Sequence, residues 1–195
     1  MIEVHLLSDS KNAKSEDILS YPYKHIQKSR YNIMEIWDAY DKNFNRLENL
    51  TLVRGECIPD GVFHLVCDVI VKHKDGEYLL MQRDERKHFG GMWEATAGGA
   101  ALKGERPLEC AVRELREETG IMSENLTELG KVVSDSDHAV FVEFLCITRC
   151  DKNSIVLQDG ETSAYKWVSR EELINISQKE LVTKRMQNFI AELRR

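Results

Sequence analysis

The segment from Pro107 to Gly120 constrains the fold of this chain more than any other. Proline opens it, where a fixed φ suits the first helical turn, and glycine closes it, where a left-handed residue commonly ends a helix. Between them Leu108, Ala111, Val112 and Leu115 recur at helical spacing and form one apolar stripe. Next to that stripe Glu114, Glu117 and Glu118 stand at i, i+3 and i+4, so their carboxylates converge on one side. Such a helix has to dock on an apolar surface while presenting crowded like charges. Crowding of that kind destabilises an isolated helix, so something positive belongs at the site. Hard, oxygen-only ligands point to Mg²⁺, with Mn²⁺ as a substitute. Three glutamates alone would more commonly be a solvated helix face, and the residues around them have to decide.

The surface for that helix to dock on is a sheet. A β-branched run at 62–73, then Lys74-Asp75-Gly76, then 77–82 reads as a hairpin, because Asp-Gly between two such runs is a strong turn signal. Residues 33–37 predict a strand followed by the turn residues Asp41-Lys42-Asn43. A short strand at 93–97 runs into Gly98-Gly99, and further strands are predicted at 126–133, 139–148 and 164–168. Ser169 with Glu172 three residues on reads as a capping box that opens a short helix. A last helix is predicted over 179–194, with Leu181, Met186, Phe189, Ile190 and Leu193 inward. The sum is α/β: one mixed β-sheet with a few helices over its faces.

Composition narrows the class. Hydrophobic residues make up 42% and charged residues 31%, ordinary globular usage that argues against general disorder. The best apolar run, 139–147, is broken by Glu143 and falls short of the roughly 18 residues a membrane helix needs, so no membrane partner is expected. No basic region followed by an apolar core opens the chain, and a cytoplasmic location is expected. A net charge of -6 gives no support to a nucleic acid polymer as partner. Cys57, Cys67, Cys110, Cys146 and Cys150 are odd in number and lack C-x-x-C pairs, which suggests neither a disulfide framework nor a zinc site. Cys67, Cys110 and Cys146, among apolar neighbours, read as small core residues. Residues 1–30 read as an N-terminal extension. It reads as a packed or loosely ordered appendage before it reads as a partner-binding arm, and the alternation of Ile2, Val4 and Leu6 suggests a cap on the sheet or a homodimer contact.

The box of spacings then names a family. Gly99 is followed by Glu105, then by Arg113-Glu114-Leu115, Glu117-Glu118, Gly120 and Ile121. This resembles, without a mismatch, the Nudix box, G-x(5)-E-x(7)-R-E-U-x-E-E-x-G-U with U apolar. Leu79-Leu80-Met81-Gln82-Arg83, Gly91-Met92-Trp93-Glu94 and the later Trp167-Val168-Ser169 extend the resemblance over about residues 32–175. It implies a Nudix α/β/α sandwich at 31–195, with a loop-helix-loop catalytic box at 99–121. Upstream, Glu35-Ile36-Trp37-Asp38, Tyr40-Asp41, Arg54-Gly55 and His64-Leu65 are similar to the isopentenyl-diphosphate-isomerase-like branch of that family.

The resemblance implies hydrolysis of a diphosphate bond in a nucleoside diphosphate linked to another moiety, with a small-molecule diphosphate as substrate. It implies a metal site of Glu114, Glu117 and Glu118 with a carbonyl of Gly98 or Gly99, and catalytic roles for Glu105, Arg113, Glu117 and Glu118. Arg113 would orient a box glutamate through a charge-assisted hydrogen bond. Glu161 is the candidate for the glutamate outside the box that completes the site in many relatives. Arg83, Arg86 and Lys87 are candidates for holding phosphates, set against a plain solvated basic cluster. Trp37 reads as a buried strand tryptophan before it reads as a stacking platform. Two other readings stay open: a non-catalytic binding module of this fold, and an isomerase. The isomerases need a cysteine and a neighbouring histidine after the tryptophan-containing strand. Here that strand reads Trp93-Glu94-Ala95-Thr96-Ala97-Gly98-Gly99-Ala100, which disfavours isomerisation.

Overall fold

The structure is a computed structural model and describes residues 34–181 and Phe189. The N-terminal extension at 1–30 and nearly all of the helix expected at 179–194 lie outside the described residues.

At the centre of the main sheet is β3 (His64–His73). It runs parallel to β8 (Ala139–Thr148), whose outer edge pairs antiparallel with β7 (Leu126–Ser134). On the other side of β3, β6 (Thr96–Ala100) pairs antiparallel with residues 66–70, and β4 (Tyr78–Arg83) takes over at Lys72. β4 in turn carries β9 (Thr162–Val168) on one flank and the two-residue β5 (Trp93–Glu94) on the other. One parallel pair among antiparallel ones makes the sheet mixed, as expected. The Asp75-Gly76 hairpin is present. Gly76 at φ 104° donates its N–H to the His73 carbonyl at 2.9 Å.

Alternation along β3 divides the core. Leu65, Cys67, Val69 and Val71 face α1 (Pro107–Thr119) and pack with its Cys110, Ala111 and Leu115 and with Val140, Val142 and Phe144 of β8. Ile70, facing the opposite way, packs with Tyr78, Leu80, Ala95, Val168 and with Leu173 of α2 (Arg170–Asn175). Helices therefore cover both faces, as in an α/β/α sandwich. Leu115 has no exposed surface, and its truncation to alanine should cost about 2–5 kcal/mol. The apolar stripe of α1 differs from the expected one at its start, since Leu108 is 44% exposed. The first turn is held instead by Glu109, which reaches back to accept the Arg106 N–H at 2.9 Å.

A separate two-stranded sheet joins β1 (Ile36–Tyr40) to β2 (Arg46–Val53). Of the strand expected at 33–37, Ile36 and Trp37 lie in β1, residues 34 and 35 precede it, and Ile33 lies outside the described residues. The inward residues are Trp37 and Ala39, whereas Met34 is exposed. Of the side chains on β2 only Leu52 is fully buried. β1 straps down the loop before α1. Lys103 donates its N–H to the Ile36 carbonyl at 2.8 Å, and Gly104 donates to Asp38 Oδ2 at 2.7 Å. The helix α2 opens on the expected reciprocal cap, with Ser169 Oγ accepting from Glu172 N and Glu172 Oε2 from Ser169 N. Cys67, Cys110 and Cys146 are wholly buried, and Trp37 is buried with its ring stacked on His64 at 4.5 Å between centroids.

Candidate active site

The site forms where β6 passes beneath α1. Gly99 is the reason the two come close enough. A Cβ on it would lie 2.5 Å from Glu114 Oε1. One on Gly98 would lie 2.4 Å from the Cys67 carbonyl oxygen on β3. Neither position has room for a side chain, and with bare backbone there the carboxylates of α1 reach the sheet. Gly98 donates its N–H to Glu118 Oε2 at 3.1 Å.

Arg113 organises the box. Its Nε and Nη2 donate to the two oxygens of Glu105 at 2.7 and 2.8 Å, in the bidentate geometry that suits a guanidinium. The same side chain donates from Nη1 to Glu114 Oε1 at 2.5 Å and from Nη2 to the Ala100 carbonyl at 3.1 Å. Glu117, more exposed, has an oxygen 3.5 Å from Nη1. Burial works against the Arg113 charge, but the Glu105 and Glu114 carboxylates hold it protonated more firmly than an ordinary guanidinium. Glu105 also accepts the Leu102 N–H at 2.9 Å, so both its oxygens are committed to shaping the loop.

Among the described residues no cation is in ion-pair contact with Glu118, and the Lys87 charge acts on it from further away. Burial, then the nearby charges of Glu114 and Glu94, push its carboxyl up to about 8. Burial also raises Glu114 and Glu94, the latter against the pull of Arg83. Glu94 is a residue that sequence reasoning did not assign to the site, and Asp68, buried on β3 and paired in register with Gly98, adds its charge to that of Glu94. Both carried a signal: an acid inside a short strand between Trp93 and Ala95, and a lone acid within an apolar run. The donor set is all oxygen, and a desolvated carboxylate beside two others is stabilised by a hard cation. Among the described residues no three acidic, imidazole or thiol groups already surround a common point. The donors that the box offers, Glu114, Glu117 and Glu118, are hard oxygens of the kind that suit a divalent ion, with Glu117 the most exposed of the three.

The basic cluster divides. Arg83 donates from Nη1 to Glu94 Oε1 at 2.6 Å and from Nε to the His88 carbonyl at 2.9 Å, so it ties the β4–β5 loop to Glu94. Arg86 is taken up by Asp84 and Asp159, at 2.7 and 2.9 Å. Lys87 is ion-paired with Glu161. Burial lowers its pKa, with Arg83 adding to the effect and the charges of Glu118 and Glu94 opposing it. The structure thus brings Glu105, Arg113, Glu114, Glu117, Glu118 and Gly98 together. It sets Lys87 and Glu161 at their border, and Arg83 and Arg86 in structural ion pairs.

Known proteins are similar to this chain in sequence and in fold. The uncharacterized Nudix hydrolase lin0387 of Listeria innocua is 32% identical over 142 residues, 72% of this chain and 83% of that protein. The uncharacterized Nudix hydrolase YfcD of Escherichia coli K12 is 32% identical over 62% of this chain and 65% of its own length. Among solved structures, DR0079 from Deinococcus radiodurans superposes with a TM-score of 0.68 at 16% identity, covering 83% of this chain and all of that one, a likeness of fold. The family model described as the NUDIX domain matches residues 62–193, more than half of the chain. By that match and those relatives, this chain belongs to the Nudix family.

Proposed function

We propose that this protein hydrolyses a diphosphate bond in a nucleoside diphosphate linked to another moiety, using Mg²⁺ or, in its place, Mn²⁺. The observation that carries this reading is the box geometry: Glu118 is enclosed beside Glu114 and Glu94 and accepts the Gly98 N–H, while Arg113 is taken up by Glu105 and Glu114. Glu114, Glu117 and Glu118, with the Gly98 carbonyl, would hold the ion. When bound, it supplies neutralisation of the diphosphate and activation of the attacking water. Arg113 fixes the aim of Glu114 and, through Glu105, the shape of the loop, so the carboxylates need little reorganisation. Lys87 is the ammonium placed to meet phosphate oxygens, and doing so frees Glu161 from its ion pair to serve the site. Arg83 and Arg86 contribute by keeping the loop that carries Lys87 in shape. A cytoplasmic location is part of this reading.

An isomerase reading is disfavoured by packing as well as by sequence. A cysteine on either residue of the Gly98-Gly99 pair would drive its Cβ into the β3 backbone or into Glu114. Incubation with isopentenyl diphosphate and Mg²⁺ should yield no dimethylallyl diphosphate, and efficient conversion would overturn the hydrolase reading.

The direct test is a hydrolysis screen, read by chromatography of the phosphomonoester products, over nucleoside diphosphate sugars, nucleoside di- and triphosphates, dinucleotides and coenzyme A, with each ion. Turnover of at least one class is expected, reduced a hundredfold or more in Glu117→Gln and Glu118→Gln. Turnover at near wild-type rate in both variants would remove the carboxylates from the mechanism. Binding without turnover across the panel would favour a non-catalytic module.

A further inference from the structure

Among the described residues three non-glycines adopt a positive φ: Phe44 at 66°, Phe89 at 60° and His138 at 48°. That region is disfavoured for any residue with a Cβ, and it persists where surrounding structure imposes it. Two of the three place their rings in packed contacts. Phe44 packs against the main core, with Lys131 Nζ 5.5 Å from its ring centroid. His138 packs on Phe63 and meets the Val62 carbonyl at 3.3 Å. Phe89 is different, because its backbone holds the same disfavoured φ while its side chain is left 50% exposed.

The loop that holds it is stiff. Gly90 donates to the Lys87 carbonyl at 3.1 Å, Gly91 to Arg83 at 3.0 Å and Met92 to Phe89 at 3.2 Å. A Cβ on Gly90 would lie 2.7 Å from Glu85 Cα, so the backbone closes on itself there. The guanidinium of Arg83 spans the His88 carbonyl and the Glu94 carboxylate, which couples this loop to the acidic cluster. The His88 ring lies beside that of Phe89, centroids 4.0 Å apart and tilted by 54°.

We propose that Phe89, with the His88 imidazole beside it, is a specificity-determining surface that stacks a planar heteroaromatic ring of the substrate, two residues along a rigid loop from Lys87. This rests on the diphosphate-hydrolase reading, and it assigns the ring contact to residues of this chain. An aromatic face attracts another planar ring through offset or edge contacts. The imidazole edge beside it offers a hydrogen-bonding partner that an alkyl chain would leave unmet. The ring's contact with His88 and the hydrogen bonds that close the loop around Phe89 lower the ordering cost of such a contact.

Calorimetric titration of the full chain with AMP and, separately, with ribose 5-phosphate isolates the ring without requiring turnover. The wild type should bind AMP about tenfold more tightly than ribose 5-phosphate, as one stacked base provides. That gap should close in Phe89→Ala and in Phe89→Gly and return in Phe89→Trp. Glycine adopts this φ freely, so Phe89→Gly should melt at or above the wild-type temperature while losing the gap. A gap that is absent in the wild type, or that survives both truncations, overturns the proposal, as does a fall of several degrees in the melting temperature of Phe89→Gly, which would mark a structural role. If the gap behaves as stated but the hydrolysis screen shows no turnover, the stacking surface stands and the hydrolase reading falls.

Discussion

A carboxylate enclosed like that of Glu118 gives the metal-free protein a pH signature. Its folded pKa, pushed up to about 8, lies above the ordinary glutamate value. The stability it contributes is therefore present in acid and is lost as pH rises toward 8, by at most about 1.4 kcal/mol per pH unit. In EDTA, Glu118→Gln should melt above the wild type at pH 8 and converge with it near pH 5. Equal melting temperatures across that range would mean the carboxylate is better solvated than its surroundings suggest. Arg113 allows a sharper substitution. Arg113→Lys keeps the charge but gives up the fork that spans both oxygens of Glu105, Glu114 and the Ala100 carbonyl. Urea unfolding should show a loss of about 1–3 kcal/mol, and turnover should fall at least tenfold. A lysine variant with wild-type rate would show that charge alone suffices at this position.

Among the elements, β6 and α1 make the site, and two adjacent glycines separate fold from function. Gly98→Ala sets a Cβ against backbone, the Cys67 carbonyl, and should destabilise by about 1–3 kcal/mol or more. Gly99→Ala sets its Cβ against the Glu114 side chain, which Arg113 holds in place. It should lose activity with the smaller loss in melting temperature, and the reverse order in thermal denaturation would contradict this placement. Much of this was legible in the sequence. The proline, glycine and helical spacing of α1 are local signals, and so are the Ser169 cap and the Asp75-Gly76 turn. β2 was not legible, because its inward residues Leu47, Leu50 and Leu52 are unevenly spaced and leave no period of two to read. Leu108 looked like part of the stripe because periodicity cannot tell where a helix extends past the surface it docks on. Glu94 and Asp68 join the site across strands through register, which a linear pattern does not carry.

At the scale of the whole molecule, α1 is held by one apolar core on one face of the mixed sheet, and α2 by another on the opposite face. The fold therefore does not depend on the site being filled, and a cation would add stability to a structure already formed. An ion that binds the folded chain alone stabilises it by about 2.7 kcal/mol at a hundredfold excess over its dissociation constant. The most direct measurement is thermal unfolding of the wild type and of Glu114→Gln over a Mg²⁺ titration, repeated with Mn²⁺. The melting temperature of the wild type should climb by several degrees with either ion and that of Glu114→Gln by much less, whereas an equal climb in both proteins would place the ion elsewhere and contradict the α1 carboxylates as its site.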